Sequence, residues 1–396
     1  IPLNLAAELI EHSYVQRLRN IKQLSLSYLV YPGACHNRFQ HALGAMYLMS
    51  QAIDVLRSKG CEITDEESEA AVCAILLHDI GHGPFSHSLE HSIISKDVGH
   101  EEISSILMHE INMQMDGRLY LAIAIFNNTY HKKFLHQLVS SQLDVDRLDY
   151  LSRDSFFSGV AEGMIGLGRI IKMLNVVDDE LVVEAKGIYS IEKFLISRHL
   201  MYWQVYLHKT VLAAEKILVN ILQRAKELSH SGENIFAAPA LQFFLKNTVT
   251  FDEFRKYFNE ELPLEHFVNL TDCDIESAIK VWCFHKDFVL SHLCKMLVNR
   301  KLFRCSLSES PFSLEKIEAI RQKTKSLLCV KDEDIDYFVS HETVSSKAYT
   351  PKNENIKILY PNGNLVDIAN VSAILTAAVF AAPTTKYALC YCKSNL

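Results

Sequence analysis

The spacing of apolar positions along the first 230 residues is predominantly that of α-helices. A second helix after the N-terminal one is predicted over 36–60, where Gly60 follows basic residues and offers a common helix stop. Thr64 and Glu67 have the spacing of a capping box, and the helix that they begin becomes apolar toward residue 80. The N-terminal helix places five apolar side chains on one face: Leu5, Ile10, Val15, Leu18 and Ile21. Further helices are predicted over 100–114, 117–127, 132–152, 164–175, 189–230 and 239–246.

The helical pattern is interrupted once and then changes toward the end of the chain. Residues 175–190 carry Val-Val pairs on both sides of Asp178-Asp179, which predicts a β-hairpin. After a predicted helix around 274–297, the pattern alternates and contains an Asn-Gly turn. We therefore expect a mainly α fold in three parts: a helical core domain (1–230), a helical extension (231–300) and a smaller α+β C-terminal subdomain (301–396).

Composition narrows the class of protein. Of the 396 residues 49% are apolar and 22% are charged, which is typical of a soluble globular chain. The net charge of −7 argues against a protein that coats nucleic acid through charge alone. The ten cysteines form no CxxC pair and no secretory signal is evident, so reduced thiols in the cytoplasm are expected. The longest apolar run, 371–383, is too short to span a bilayer, and no membrane association is predicted.

Candidate metal ligands come from three separate predicted helices. His41 lies in the first of them, the adjacent pair His78 and Asp79 ends the second, and Asp146 lies in the third. A divalent metal ion needs several nitrogen or carboxylate donors held by separate elements. The alternative is a cluster of hydrogen-bonded buried polar residues, but burying such groups without matched partners is costly. The set suits one divalent metal ion, and Fe, Mn, Ni, Zn, Co and Mg all remain candidates.

The order His, His-Asp, Asp resembles that of the HD-domain metal-dependent phosphohydrolases. More narrowly, the chain is similar to the deoxynucleoside triphosphate (dNTP) triphosphohydrolases, including the dGTPases, over about residues 10–230. The resemblance implies that 1–230 is an HD-type catalytic helical domain, with His41, His78, Asp79 and Asp146 as the metal ligands. It also implies hydrolysis of a dNTP to a deoxynucleoside and triphosphate. The segments that carry it are 15–44, 76–87 ("LLHDIGHGPFSH"), 143–160 and 198–211.

The resemblance also assigns roles around the metal. It implies that His100 is the general acid for the leaving 5′-oxygen and that Glu90, in place of the Asp of mammalian members, orients it. His82 and His87 match positions that contact phosphate. The remaining residues match positions that bind the substrate: Arg38, Arg147 and Lys209 as cations, Tyr150 and Asp154 at the deoxyribose, Gln23 at the 3′-hydroxyl, Leu24 against a 2′-hydroxyl, and Tyr206 against sugar and base.

Two other functions and the assembly remain open from the sequence. The scaffold is compatible with a phosphohydrolase acting on another nucleotide or phosphoester, and with a non-catalytic module that binds nucleotides or nucleic acid. The dNTP triphosphohydrolase hypothesis does not require a nucleic-acid partner. The apolar segment 189–228 predicts a homodimer or homotetramer. A nucleotide activator between subunits is not favoured, because Glu184 stands where the family pattern has Arg.

Overall fold

The computed structural model of the protein describes residues 4–85, 99–256, 261–346, 355–372 and 384–393. These ranges confirm the mainly α fold. Up to residue 173 the helices are α1 (Asn4–Glu11), α2 (Ser13–Gln16), α3 (Arg38–Ser58), α4 (Asp65–Leu77), α5 (His100–Gln114), α6 (Tyr120–Phe126), α7 (Lys133–Val139), α8 (Val145–Ser158) and α9 (Leu167–Met173). The later helices are α10 (Ile188–Met201), α11 (Lys209–His230), α12 (Pro239–Lys246), α13 (Pro263–Asn269), α14 (Asp272–Trp282), α15 (Phe288–Val298), α16 (Leu314–Leu328) and α17 (Ile368–Val371).

Helix α4 is the buried base on which the candidate site is built. It begins with the predicted capping box, in which Thr64 accepts from the backbone N–H of Glu67 and Glu67 reaches back to Thr64. Every residue from Ala70 to Leu77 is buried. Helix α3 packs against both α4 and α8. The three helices that carry the candidate metal ligands are therefore held in one core.

Three predicted helices are divided in the structure. The helix predicted over 132–152 ends at Val139, because the buried Asp144 carboxylate accepts the backbone N–H groups of Ser141 (2.8 Å) and Arg147 (2.7 Å) and so caps a new helix, α8. The helix predicted over 189–230 is interrupted by a π-helical turn, Tyr202–Tyr206, between α10 and α11. The helix predicted over 274–297 is divided into α14 and α15, and Asp287 caps the second of these.

Seven strands form two small sheets within the described residues. The predicted hairpin is confirmed: β1 (Leu174–Val177) and β2 (Glu180–Glu184) pair antiparallel. Asp178 and Asp179 between them have φ values of 51° and 63°, as a tight two-residue hairpin turn requires. The other strands are β3 (Arg304–Ser308), β4 (Val339–Ser346), β5 (Lys357–Leu359), β6 (Leu365–Asp367) and β7 (Thr384–Tyr391).

The second sheet and part of the first come from the C-terminal region, which confirms its α+β character. Strand β7 lies between β3 and β4 and pairs antiparallel with both. Strand β5, in contrast, pairs parallel with β2 of the hairpin, with Val183 opposite Ile358, and β6 extends the sheet. The boundaries proposed at 230 and 300 stay predictions, but the strand pairing ties the C-terminal region to the helical core.

None of the described helices combines the length and the apolar character that crossing a bilayer requires. Most of the apolar run 371–383 lies outside the described residues.

Candidate metal centre and substrate cavity

The structure brings the predicted metal ligands together at the end of α4. His78 follows the last residue of α4 directly, so it is attached to the buried C-terminal part of that helix. Its Nε2 lies 3.4 Å from Nε2 of His41 on α3 and 3.5 Å from Oδ1 of Asp146 on α8. His41 Nε2 lies 3.1 Å from the same oxygen of Asp146. These three donor atoms lie within 4.8 Å of one another.

The hydrogen bonds made by Nδ1 of His41 and Nδ1 of His78 determine whether each Nε2 presents a lone pair to the space between the three donor atoms. His41 Nδ1 lies 2.8 Å from Oδ2 of Asp149, and His78 Nδ1 lies 2.6 Å from the carbonyl oxygen of Ile75. A carboxylate and a carbonyl can only accept, so each Nδ1 carries the hydrogen. In the neutral form of each ring, the Nε2 lone pair then faces the Asp146 carboxylate. Three acceptors converging on one point in a partly buried site fit a divalent cation.

Asp79, the fourth predicted ligand, lies beside this point and is shared with cationic and histidine neighbours. Its Oδ1 is 3.4 Å from Nε2 of His78 and 3.3 Å from Nε2 of His82. Its Oδ2 accepts from the guanidinium of Arg38 and lies 3.9 Å from Nε2 of His41. The predicted phosphate-binding Arg38 is thus an ion-pair partner of a predicted ligand, on the same side of the site.

The pKa values of the site describe a centre built for positive charge. Burial lowers the pKa of His41, but hydrogen bonds to Asp146 and Asp149 outweigh burial and raise that pKa to about 10. Burial acts to raise the pKa of Asp146, yet the two histidines hold it far below its usual value. The carboxylates of Asp146 and Asp149 therefore favour positive charge at the histidine rings. A bound metal ion would supply that charge in place of a proton.

His82 and His100 lie next to the metal ligands and face each other. Their rings stack with centroids 3.9 Å apart and planes inclined by 16°. The helix predicted to carry His82 ends at Leu77, so the ring reaches this position through a turn. Burial, together with the charge of Arg38, lowers the pKa of His82 to about 3 and keeps the ring neutral.

The turn that carries His82 is bound tightly to the start of α5, which carries His100. The hydroxyl of Ser104 donates to the carbonyl oxygen of His78 (2.7 Å) and accepts from the backbone N–H of Gly81 (2.9 Å). A Cβ at position 81 would lie 2.2 Å from the carbonyl oxygen of His100, so only glycine permits this approach.

A cavity of about 580 Å³ opens from the metal ligands. His78, Asp79 and Asp146 form one wall, and His100 lies beside them on the N-terminal turn of α5. The rest of the wall comes mainly from α5 to α7 and their connections, and Phe251 and Arg255 join it from the segment between α12 and α13. It is of mixed polarity: Glu101, Glu102, Ser105, His109, Asn127, Asn128, His136 and Ser140 lie beside Ile106, Phe126 and Val139. The predicted general acid therefore reaches the same space as the metal ligands.

The residues predicted to contact the sugar form a separate hydrogen-bonded group on α8 and the π-helical turn. Tyr206 donates to Oδ2 of Asp154 (2.9 Å), and Oδ1 of Asp154 lies 2.7 Å from Nε2 of His36. The Tyr150 and Tyr206 rings are 6.2 Å apart and nearly perpendicular. Burial, and next the charge of Asp154, raise the pKa of Tyr206 well above its usual value, so the hydroxyl keeps its hydrogen.

The other predicted substrate residues occupy varied positions. Gln23 is half-buried, its amide oxygen has no hydrogen-bond partner among the described residues, and Leu24 beside it is buried. Arg147 pairs with the Asp144 carboxylate that caps α8. Lys209 lines a second cavity, with Arg304 and Lys393, that none of the metal ligands reaches. His87 and Glu90 lie outside the described residues.

Three residues that contribute to the site were not predicted from the sequence. Asp149 contacts His41, Arg153 contacts Asp149, and His36 contacts Asp154. A signal for the first two exists, because Asp146, Asp149 and Arg153 lie at positions i, i+3 and i+7 of one helix and share a face. The contact of His36 joins positions 118 residues apart, and the local sequence gives no signal for it.

Comparisons with known proteins agree with this geometry. The family model of the HD domain matches residues 38–154, and that of the HD associated region matches 165–240. A crystal structure of a phosphohydrolase from Bacteroides thetaiotaomicron is 51% identical, with a TM-score of 0.95 over 99% of this chain and 96% of that one. The uncharacterized protein YwfO of Bacillus subtilis is 33% identical over 93% of this chain and 84% of its own length.

A more distant relative is described by its activity. The human deoxynucleoside triphosphate triphosphohydrolase SAMHD1 is 29% identical over 56% of this chain and 42% of its own length. With the helical core, the His–His–Asp centre and these matches together, the chain belongs to the HD-domain phosphohydrolase family.

Proposed function

We propose that the protein is a metal-dependent dNTP triphosphohydrolase, which converts a dNTP to a deoxynucleoside and triphosphate. The observation that carries the proposal is the placing of His100 in the cavity wall beside His78, Asp79 and Asp146. This arrangement offers a metal centre and a group that can protonate a leaving oxygen within one space. The likeness to SAMHD1, whose name states this activity, supports the choice of substrate.

The metal would be held by His41, His78 and Asp146, with Asp79 beside them. When bound, a divalent ion supplies Lewis-acid chemistry, because it draws electron density from a phosphoryl group and acidifies water. Arg38 and Arg147 add positive charge near the phosphates, although each is partly balanced by a carboxylate, Asp79 and Asp144 respectively.

His100 would hold a proton for the 5′-oxygen of the departing nucleoside. The neutral ring of His82 stacks on His100 and fixes the plane of its ring without adding a competing charge. In the resemblance Glu90 orients His100, and that role remains part of the proposal. Protonation by a positioned imidazole contributes about 10²–10⁴-fold to rate in comparable reactions.

Recognition of deoxyribose would come from the group on α8. Tyr206 and His36 fix both oxygens of Asp154, so the carboxylate presents its remaining lone pairs in one orientation. Leu24 is buried beside Gln23 and offers a methyl surface where a 2′-hydroxyl would find no partner. A site of this kind favours a deoxynucleotide over a ribonucleotide.

The proposal is tested by incubating the metal-loaded protein with each dNTP and each ribonucleotide and identifying the products by chromatography. Assays with and without dGTP test an activator. Nucleoside plus triphosphate supports the proposal. Release of phosphate or pyrophosphate assigns the protein to another phosphohydrolase activity, and tight nucleotide binding without turnover assigns it to a binding module. Gel filtration with light scattering tests the predicted homo-oligomer, and the same measurement on Tyr189→Ala tests whether segment 189–228, where Tyr189 is 79% exposed, forms its interface.

A further inference from the structure

The ring of His41 is fixed from behind by an ion pair. The Nδ1–H of His41 donates to Oδ2 of Asp149 at 2.8 Å. Arg153, one turn further along α8, donates to both oxygens of that carboxylate, from Nε to Oδ2 at 2.8 Å and from Nη2 to Oδ1 at 2.9 Å. The side chain of Asp149 is 8% exposed and that of His41 is fully buried. The carboxylate is therefore held in one orientation by two partners.

A glycine on α3 makes room for this ion pair. Gly44 lies in the same helix as His41, one turn further along. A Cβ at position 44 would lie 2.0 Å from Oδ1 of Asp149 and 2.1 Å from Nη2 of Arg153. Glycine in the interior of a helix is less favourable than alanine. Helix α3 thus has glycine, a weak helix former, at the position where the Asp149–Arg153 pair lies against its backbone.

We infer that Asp149 is a positioning residue of the metal centre, because it fixes His41 with Nε2 free toward the metal. Arg153 holds the Asp149 carboxylate, and the missing side chain of Gly44 leaves space for this ion pair. The inference rests on the metal centre of the proposed function and adds a residue to it. Asp149 itself lies on the far side of the imidazole ring from Nε2 and acts through His41.

The physical reason lies in the two forms of a neutral imidazole. When the hydrogen is on Nδ1, Nε2 can bind a metal ion, and when it is on Nε2, that atom cannot. A carboxylate at Nδ1 selects the first form and raises the basicity of the ligand, and such partners change metal affinity about 10–100-fold. Removing one partner of a fully buried ion pair destabilises the fold, but the side chain of Arg153 is 22% exposed and keeps access to water when Asp149 is replaced. Metal affinity, rather than folding, should thus respond most to a change at Asp149.

The test compares Asp149→Asn with Asp287→Asn. Asp287 forms the same kind of pair, since Arg224 donates to its two oxygens at 3.2 Å and 2.6 Å, but it caps α15 instead of contacting a metal ligand. Mn²⁺ affinity is measured by isothermal titration calorimetry on the full chain after chelation, and thermal unfolding is measured in EDTA. We expect about 10–100-fold weaker Mn²⁺ binding in Asp149→Asn and unchanged binding in Asp287→Asn.

Two further variants separate positioning from folding. Gly44→Ala should weaken Mn²⁺ binding while circular dichroism remains helical, and Gly168→Ala, a helical glycine with nothing within 4 Å of the added Cβ, should not. At saturating Mn²⁺ the kcat of Asp149→Asn should return toward that of the unaltered protein, while the Mn²⁺ concentration that half-maximal activity requires stays higher. If Asp149→Asn binds Mn²⁺ within twofold of the unaltered protein, the inference is wrong. If the unaltered protein binds Mn²⁺ no more tightly than His78→Ala does, the proposed metal centre is absent and the proposed function fails instead.

Discussion

His82 and His100 stack face to face, 3.9 Å between ring centroids, although one ends a turn after α4 and the other begins α5. The contact depends on Ser104, which bonds to both His78 and Gly81 and so joins the two segments. The metal ligands and the proposed general acid are therefore positioned by one local structure.

Removal of a metal ligand should abolish both metal binding and hydrolysis. His78→Ala and Asp146→Ala each delete a donor of the three-atom cluster. We expect kcat/KM to fall by about 1,000-fold or more, equivalent to ~4 kcal/mol of transition-state stabilisation. Metal content by plasma emission spectrometry and initial rates provide the two measurements. His136→Ala is the control, because this histidine bonds through Nδ1 to the carbonyl oxygen of Ile125, at 2.9 Å, and does not belong to the three-residue cluster of metal donors.

Replacing the proposed general acid should slow turnover without loss of metal. In His100→Ala the kcat for a dNTP should fall by about 10²–10⁴-fold, because the proposed proton donor to the 5′-oxygen is removed. A nitrophenyl phosphodiester, whose leaving group needs no proton, should lose far less. His131→Ala, at an exposed position that does not line this cavity, should keep both activities. Equal losses on both substrates would assign His100 a structural role.

Loss of the Tyr206 hydroxyl should weaken selection for deoxyribose. Tyr206→Phe leaves one oxygen of Asp154 without its partner, so the carboxylate can turn away from the sugar. We expect the ratio of kcat/KM for dATP over ATP to fall by about tenfold, the equivalent of one hydrogen bond. Tyr130→Phe deletes a similar hydroxyl bond, to Glu67 at 2.6 Å, and should leave that ratio unchanged.

A methyl group at position 81 should separate the turn from α5. In Gly81→Ala the Cβ would lie 2.3 Å from the backbone nitrogen of Ser104, so the two backbones must move apart. Overpacking of this kind costs about 1–3 kcal/mol of unfolding free energy, measured by urea denaturation. Activity should fall more than stability alone explains, since His82 and His100 lose their contact. Gly166→Ala, where the added Cβ meets nothing within 4 Å, should unfold like the unaltered protein.

The sequence was informative where the cause of a structure is local. The capping box at Thr64, the Asp178-Asp179 turn and the His78–Asp79 pair are all visible as short patterns, and each is found in the structure. The break between α7 and α8 was missed, because it depends on a buried carboxylate, Asp144, whose helix cap outweighs a continuous helical pattern.

Contacts across the core could not be predicted in the same way. Asp149 binds His41 across 108 positions of sequence, and nothing in the neighbourhood of either residue specifies the other. The parallel pairing of β5 with β2 is a second case, since a parallel partner is not connected by a short turn. Contacts of this kind form only when segments that are distant in the sequence pack against one another.

Strand β5 has a consequence for how the protein can be divided. It pairs with β2, a strand whose one other neighbour within the described residues is β1. A fragment that ended near residue 300 would keep every proposed metal ligand and still expose an open sheet edge. Unpaired edges of this kind recruit other strands, so the shortened protein should self-associate even with an intact metal centre.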